Sequence, residues 1–234
     1  MAIRSAGEKL PFWRKEDRTI HFIEIPKTGT TSVGEILKAN GWEIDKKSND
    51  FLKQNHVGFD EHSHRKIYEL IDMPCEFEFT TVRNPIDRFV SNVYFIISHW
   101  AQGIGNVPES FPSQEEVTSR SMIHFMHSVF TKLVNVDVHA EYNRYCPQHL
   151  FIRKKTKVFK LENETEALLN ELKSRNIILD SQTMLHKNKS TLDTLKKASP
   201  DWEYAPQVSQ YFCDFYKKDF EMFNYKMPEF KGKK

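Results

Sequence analysis

The sequence lacks any long uninterrupted apolar run. Hydrophobic residues make up 39% of its 234 residues, and the mean hydropathy is -0.61. A transmembrane helix needs about 20 consecutive apolar residues, so we expect no membrane span. Residues 1–18 have neither the apolar stretch of a secretory signal nor the acid-poor composition of a transit peptide. These absences predict a cytosolic protein.

Cysteines are few, and an excess of charge of one sign is missing. Cys75, Cys146 and Cys213 form no CxxC pair, which argues against a zinc site and a disulfide framework. We expect free, buried thiols. The 34 Lys and Arg residues against 32 Asp and Glu leave a net charge of +2, so no overall field draws the protein to nucleic acid. Any binding of anions must then be local.

A strand-loop-helix pattern occurs twice in the sequence. Residues 19–25, TIHFIEI, alternate as a strand does, and Val33, Ile36 and Leu37 follow at helical spacing. Residues 76–82, EFEFTTV, predict a second strand, which a helical pattern follows after the turn RNP. Two such units predict a parallel sheet with its loops at one edge.

The remaining segments predict a lid and further helices. Glycines and prolines in residues 100–120 indicate a surface loop that could cover a substrate. Residues 157–163 predict another strand, and residues 164–175 predict another helix. The last helix has an apolar stripe, which we interpret as core packing; it consists of Val208, Tyr211, Phe212, Phe215 and Phe223.

The first strand-to-helix turn, IPKTGTTS, has the features of a phosphate-binding loop. Backbone N–H groups at such a turn point to one spot, and the helix N-terminus adds partial positive charge. Gly29 permits close approach, and Lys27 supplies a full charge. Further hydroxyl donors are Thr28, Thr30, Thr31 and Ser32.

The order of residues differs from that of the loop that binds nucleoside triphosphates. That loop reads G-x-x-x-x-G-K-[ST], with lysine directly after the second glycine. Here Thr30, and not lysine, follows Gly29. The loop therefore suits a donor with one 5′ phosphate and a transferable group beyond it.

IPKTGTTS followed by VRNPIDRFVSNVY resembles the two signatures of sulfotransferases that use 3′-phosphoadenosine 5′-phosphosulfate (PAPS). The chain is similar in particular to the carbohydrate group related to heparan sulfate 2-O-sulfotransferases. The resemblance implies an α/β fold in a single domain, with a central parallel sheet flanked by helices and a P-loop-like PAPS site. PAPS would be the co-substrate and the bisphosphate PAP the product.

The resemblance also implies roles for individual residues. The first loop would grip the 5′-phosphosulfate, with Lys27 neutralising charge on the leaving phosphate. Arg83 and Ser91 would bind the 3′ phosphate, for which the planar fork of arginine is suited. LHKNKST looks like a loop that closes over the nucleotide, which makes Lys189 and Ser190 candidate contacts; a solvated basic loop explains them equally well.

The acceptor hydroxyl must lose a proton, and a neutral imidazole is suited to accept it. In heparan-type enzymes the base is a histidine between the two signatures, shortly before a valine and an aromatic residue. HVGF matches this pattern and makes His56 the first choice, ahead of His62 and His64. Glu24 is a weaker rival, better suited to hold Lys27 or a helix. We expect no metal site, because sulfuryl transfer needs none.

This resemblance defines the expected domain and its surroundings. A single domain would cover residues 1–234, with residues 19–99 as its nucleotide-binding half and residues 121–230 as its remaining helices and strand. The chain would be a cytoplasmic enzyme of bacterial or viral origin or, alternatively, a trimmed Golgi lumenal domain. The partner would be a carbohydrate or another hydroxyl acceptor, without nucleic acid; the sequence predicts no oligomeric state.

Two alternatives to a sulfotransferase remain open from the residues. An atypical P-loop small-molecule kinase would require Mg²⁺ and an acidic ligand after a later strand, and no convincing acid of this kind is present. A non-catalytic nucleotide or glycan binder with the same fold would tolerate the loss of His56. Aromatic residues such as Trp100 and Phe111 could stack on sugars or could serve only in packing.

Overall fold

The computed structural model describes residues 12–47, 74–89, 91–92, 95, 145–179 and 206–227. The chain forms two compact units, one of Met1–Arg83 with His139–Lys187 and the other of Asn84–Val138 with Asn188–Lys234. Among the helices that the structure describes, none combines the length and the apolar character needed to cross a bilayer.

The first unit contains a five-stranded mixed sheet in the order β3-β1-β2-β4-β5. Its strands are β1 (Phe12–Lys15), β2 (Arg18–Ile23), β3 (Glu43–Ile44), β4 (Phe77–Val82) and β5 (Lys157–Lys160). β4 lies parallel to both β2 and β5, whereas β1 is antiparallel to β2 and β3. The sheet is therefore parallel in one half and antiparallel in the other.

The predicted parallel sheet is confirmed only for β2, β4 and β5. Neither antiparallel strand is predicted from the sequence, because residues 16 and 17 are Glu-Asp and carry no common hairpin signal. The β1–β2 turn uses Glu16 at φ 56 instead of the Asn-Gly or Asp-Gly pair that marks most two-residue hairpins. β3 has only two residues, too few for a periodic pattern.

Two helices contribute to a core on one face of the sheet. Helix α1 (Thr30–Ala39) buries Val33, Ile36 and Leu37, as the helical spacing predicted. Helix α2 (Thr165–Ser174) buries Leu168 and Leu172. These side chains join one cluster with alternate residues of the strands, among them Ile20, Phe22, Phe77, Phe79 and Phe159. This packing fixes α1, and with it the loop that precedes α1.

The second unit contains helical residues 85–89 and helix α3 (Pro206–Met222). Its aromatic contacts include an edge-on pair between Phe89 and Phe212, with ring centroids 5.5 Å apart. Phe212 in turn lies 4.6 Å from Tyr216. The last helix is thus confirmed as a core element.

The three cysteines are thiols, as the sequence predicted. Cys146 and Cys213 are buried and Cys75 is half-buried, and none of the three takes part in a disulfide bond. Burial, reinforced by the neighbouring charge of Asp214, raises the pKa of the Cys213 thiol to about 11. A thiol with so high a pKa is almost never a thiolate at neutral pH, which makes Cys213 a packing residue and not a nucleophile.

Candidate functional site

The loop between β2 and α1 has an unusual backbone. Gly29 is the N-cap of α1 in the left-handed conformation at φ 87, and Lys27 has φ 68. A Cβ at Gly29 would lie 2.8 Å from Cδ1 of Leu161, which follows β5. Left-handed backbone at a residue with a side chain costs free energy and occurs often at ligand sites. The loop is therefore built around Gly29, a residue without a side chain.

The hydroxyls of the loop have different surroundings. Thr28 is fully buried; its hydroxyl donates to the carbonyl of Ile25 at 2.8 Å and lies 3.2 Å from the hydroxyl of Thr81. This hydroxyl therefore shapes the loop, and the part of Thr28 that can face a ligand is its backbone. Thr30 is half-buried and Thr31 exposed at the start of α1.

Helix α1 begins as an anion-binding helix does. Its first turn has no acidic residue, and no side chain caps its N-terminus. Ser32, in this turn, is half-buried, and its backbone N–H donates to the carbonyl of Gly29 at 3.0 Å. The N-terminus of a helix attracts negative charge through its N–H groups and dipole. The start of α1 therefore has features that suit an anion.

Arg83 directly follows β4 and lies beside this loop. β2 and β4 are parallel neighbours with Ile23 opposite Thr80, so the residues after both strands reach the same edge of the sheet. The Nη1 atom of Arg83 lies 3.5 Å from the backbone oxygen of Lys27. The structure thus brings the two predicted phosphate-binding elements together within the first unit.

Gln148 holds the backbone of Arg83, and the sequence analysis missed it. Its Oε1 accepts from the backbone N–H of Arg83 at 2.9 Å, and its Nε2 donates to the carbonyl of Arg83 at 2.7 Å. The two residues are 65 positions apart. No local pattern links residues so far apart, so sequence periodicity could not find this contact.

A buried charged cluster lies toward the amino ends of the parallel strands, away from the loop. It comprises Glu78 on β4, His21 opposite it on β2, and Arg153 and Thr156 before β5. Glu78 accepts from Thr156 at 2.5 Å, contacts His21 Nδ1 at 2.9 Å and pairs with Arg153. The ring of Phe12 stacks on His21 with centroids 4.1 Å apart.

The contacts in this cluster fix its charges. Burial alone raises the pKa of Glu78, but hydrogen bonds from His21, Arg153 and Thr156 outweigh it and lower the pKa to about 2. Burial lowers the pKa of His21 despite the carboxylate beside it. The cluster therefore holds a carboxylate, a neutral imidazole and a guanidinium at neutral pH, and we interpret it as a structural element.

Several predicted residues lie elsewhere or cannot be placed. His56, His62, His64, Lys189, Ser190 and the lid at residues 100–120 are outside the described residues. Ser91 is a half-buried helical residue of the second unit, and Glu24 is half-buried directly after β2. Within the ranges that the structure describes, no three His, Cys, Asp or Glu side chains are arranged to hold a metal ion.

Comparison with known families assigns the chain. Residues 10–226 match the model of the sulfotransferase family, and the match includes both the loop and Arg83. No curated protein and no solved structure is similar enough to the chain to match it. The chain belongs to the sulfotransferase family, which makes it a transferase.

Proposed function

We propose that this protein transfers the sulfuryl group of PAPS to an acceptor hydroxyl, on a carbohydrate. The observation that carries the proposal is the contact of Arg83 with the loop, 3.5 Å from Nη1 to the oxygen of Lys27. It supports a donor with two anionic groups, one held by the loop and one held by the arginine. PAPS has two such groups and supplies an activated sulfuryl group when bound.

The residues of the loop fit the 5′-phosphosulfate. Gly29 gives the loop its left-handed turn, where a Cβ would meet the side chain of Leu161, and the N-terminus of α1 begins at this turn without an acid in its first turn. Lys27 adds a mobile positive charge. Transfer of this kind depends on positioning and on neutralising the charge that develops on the leaving phosphate. Lys27 is therefore the residue that we assign to the leaving group.

Arg83 fits the 3′ phosphate. Its guanidinium can donate two parallel hydrogen bonds to one phosphate, and its backbone is held at the carboxyl end of β4 by Gln148. A nucleotide gripped at both phosphates is oriented before reaction, which lowers the entropic part of the barrier. The roles of Ser91, Lys189 and Ser190 in nucleotide binding stay predictions.

The first test compares two nucleotides on an Arg83→Ala variant. Affinity for PAP should fall by about 2–3 kcal/mol, the cost of a lost charge-assisted hydrogen bond. Affinity for adenosine 5′-phosphate, which lacks the 3′ phosphate, should hardly change. Isothermal titration calorimetry measures both. An equal loss for the two nucleotides would show that Arg83 supports the fold and not the 3′ phosphate.

For the base we propose His56, on the strength of the HVGF pattern. A base acts in the transition state, so His56→Ala should lower kcat by roughly 10² to 10⁴ and leave PAP affinity nearly unchanged. Activity should also fall in acid, because an imidazolium cannot accept a proton. The control variants His62→Ala and His64→Ala should stay active; if one of them is crippled and His56→Ala is not, the base is misassigned.

A further inference from the structure

Gln148 forms hydrogen bonds to the backbone of Arg83 with both the oxygen and the nitrogen of its side-chain amide. The Oε1 atom accepts from Arg83 N–H at 2.9 Å, and Nε2 donates to Arg83 C=O at 2.7 Å. The N–H and C=O of one residue point to the same side only in an extended backbone. A planar amide that bonds to both therefore holds Arg83 extended, as an additional rung beyond the end of β4.

The sheet itself does not provide this rung. The carbonyl of Val82 faces β5, where it accepts from the backbone N–H of Leu161 at 2.8 Å, so the N–H and C=O of an extended Arg83 face the opposite side, that of β2. The pairs between β2 and β4 end at Ile23 with Thr80, before Arg83 is reached. Gln148 takes the place of a strand neighbour at the position where the chain leaves the sheet.

Gln148 is itself held firmly. It is fully buried and begins the 3₁₀ helix Gln148–Phe151, directly after Pro147. Cys146 and Phe151, two and three positions away, are buried too. A fully buried amide that makes two hydrogen bonds has little rotamer freedom, so it can hold its partner in one place.

We propose that Gln148 is a positioning residue for donor binding, which sets the guanidinium of Arg83 where the 3′ phosphate binds. The inference rests on the proposed function, because it requires Arg83 to bind that phosphate. Gln148 does not touch the nucleotide in this account. It acts by keeping the Arg83 backbone extended, so that the side chain starts from a fixed point beside the loop.

The test measures the affinity of the full chain for PAP and for adenosine 5′-phosphate by calorimetry. Gln148→Met has similar volume and loses both hydrogen bonds. We expect PAP to bind about tenfold more weakly, at the lower end of the loss when a supporting partner of a ligand-binding residue is removed. Adenosine 5′-phosphate should bind as before. Gln210→Met is the matched control, since Gln210 contacts Asp214 on an exposed surface, and it should bind PAP normally.

A double variant distinguishes positioning from a general effect on the fold. If Gln148 acts through Arg83, adding Gln148→Met to Arg83→Ala should weaken PAP no further. An additional loss, or an equal loss for both nucleotides in Gln148→Met, would overturn the positioning role. If instead the wild type does not bind PAP, or Arg83→Ala binds it normally, the proposed function itself fails.

A second variant serves if Gln148→Met does not fold. In Gln148→Glu one carboxylate oxygen can still accept from Arg83 N–H, while the other faces the Arg83 carbonyl without a proton to donate. At pH 8 PAP should bind more weakly to this variant than to the wild type. The ratio of the two dissociation constants should approach one as the pH is lowered and the carboxyl becomes protonated. A ratio that does not change with pH would contradict the proposal.

Discussion

Two neighbouring backbone conformations give the loop its shape. Lys27 and Gly29 both have positive φ, at 68 and 87, a region that L-residues enter only at a cost. At Gly29 the nearby methyl of Leu161 adds a steric reason for glycine. The same chain offers a comparison in Gly41, at φ 81, where the nearest atom to an added Cβ is 3.6 Å away on the flexible side chain of Lys15.

Alanine variants of Gly29 and Gly41 distinguish an effect on backbone strain from an effect on ligand binding. Gly41→Ala should lower the free energy of unfolding by about 1–2 kcal/mol, the cost of left-handed backbone with a Cβ, and Gly29→Ala should lower it by at least as much, because the side chain of Leu161 must also move. Only Gly29→Ala should also weaken PAP, by about tenfold or more, since a factor of ten needs only about 1.4 kcal/mol of lost contact. Urea unfolding and calorimetry measure the two effects. If both variants bound PAP with the same affinity, the loop would not be part of the donor site.

Residue types in the loop were predictable because their chemistry is local. A lysine and four hydroxyl residues around one glycine, between a strand and a helix, predict an anion site from a single stretch of sequence. The role of each hydroxyl was not predictable. Thr28 turns its hydroxyl inward because Thr81 and the carbonyl of Ile25 are there to receive it, and that geometry depends on the neighbouring strand.

At the scale of elements, the apolar stripe of α3 is another feature that the local sequence predicts only in part. The sequence predicts a helix there, and the structure confirms Phe212 and Phe223 as buried. Tyr211, predicted on the stripe, is 59% exposed, whereas Asp219, which the predicted stripe does not include, is fully buried. Cys213, Tyr216 and Phe220 complete the buried face. Aromatic residues occur on both sides of this helix. Helical periodicity alone therefore predicted a stripe that is displaced by about one residue from the buried face.

The buried charged cluster of Glu78 and His21 should make the free energy of unfolding fall in two steps as the pH is lowered. The pKa of Glu78 is lowered from 4.5 to about 2, so its contribution to stability is complete above the unfolded value and is lost as pH falls from 4.5 through 2. The pKa of His21 is lowered from 6.5. Below pH 6.5 the unfolded chain therefore takes up a proton that the folded chain resists, and stability starts to fall there.

Glu78→Gln tests the lower step. It should cost about 3 kcal/mol at pH 7, since it leaves the guanidinium of Arg153 without its buried partner. The variant should also lose less stability than the wild type between pH 4.5 and pH 2. Glu76→Gln is the control, because the pair of Glu76 with Arg18 is about one third exposed and such pairs contribute about 1 kcal/mol or less. Urea unfolding across this pH range measures the stability of both variants. The same change of stability with pH in Glu78→Gln and Glu76→Gln would contradict this role of Glu78.

At the scale of the whole molecule, strand order determines which residues meet. The central parallel strands β2, β4 and β5 are neighbours in space but distant in sequence, and their carboxyl ends bring together Lys27, Arg83 and Leu161. Two strand-loop-helix motifs were sufficient to predict the meeting of Lys27 with Arg83, whereas the place of Leu161 was not predicted. The antiparallel strands β1 and β3 extend the sheet on its other side and were not needed for it.

The kind of nucleotide bound is a property of the whole chain and discriminates between a sulfotransferase and a kinase. A ligand at 100 times its Kd stabilises the folded state by about 2.7 kcal/mol, which for a chain of this size raises Tm by about 5–10 °C. We expect PAP to give such a shift, unchanged by EDTA, because in the proposed site two basic elements hold its phosphates without a metal. ATP with Mg²⁺ should give a smaller shift, since the lysine of this loop precedes its glycine and cannot occupy the place from which a P-loop lysine reaches the γ-phosphate. A larger shift with ATP than with PAP, abolished by EDTA, would favour the kinase and refute the donor proposed for this loop.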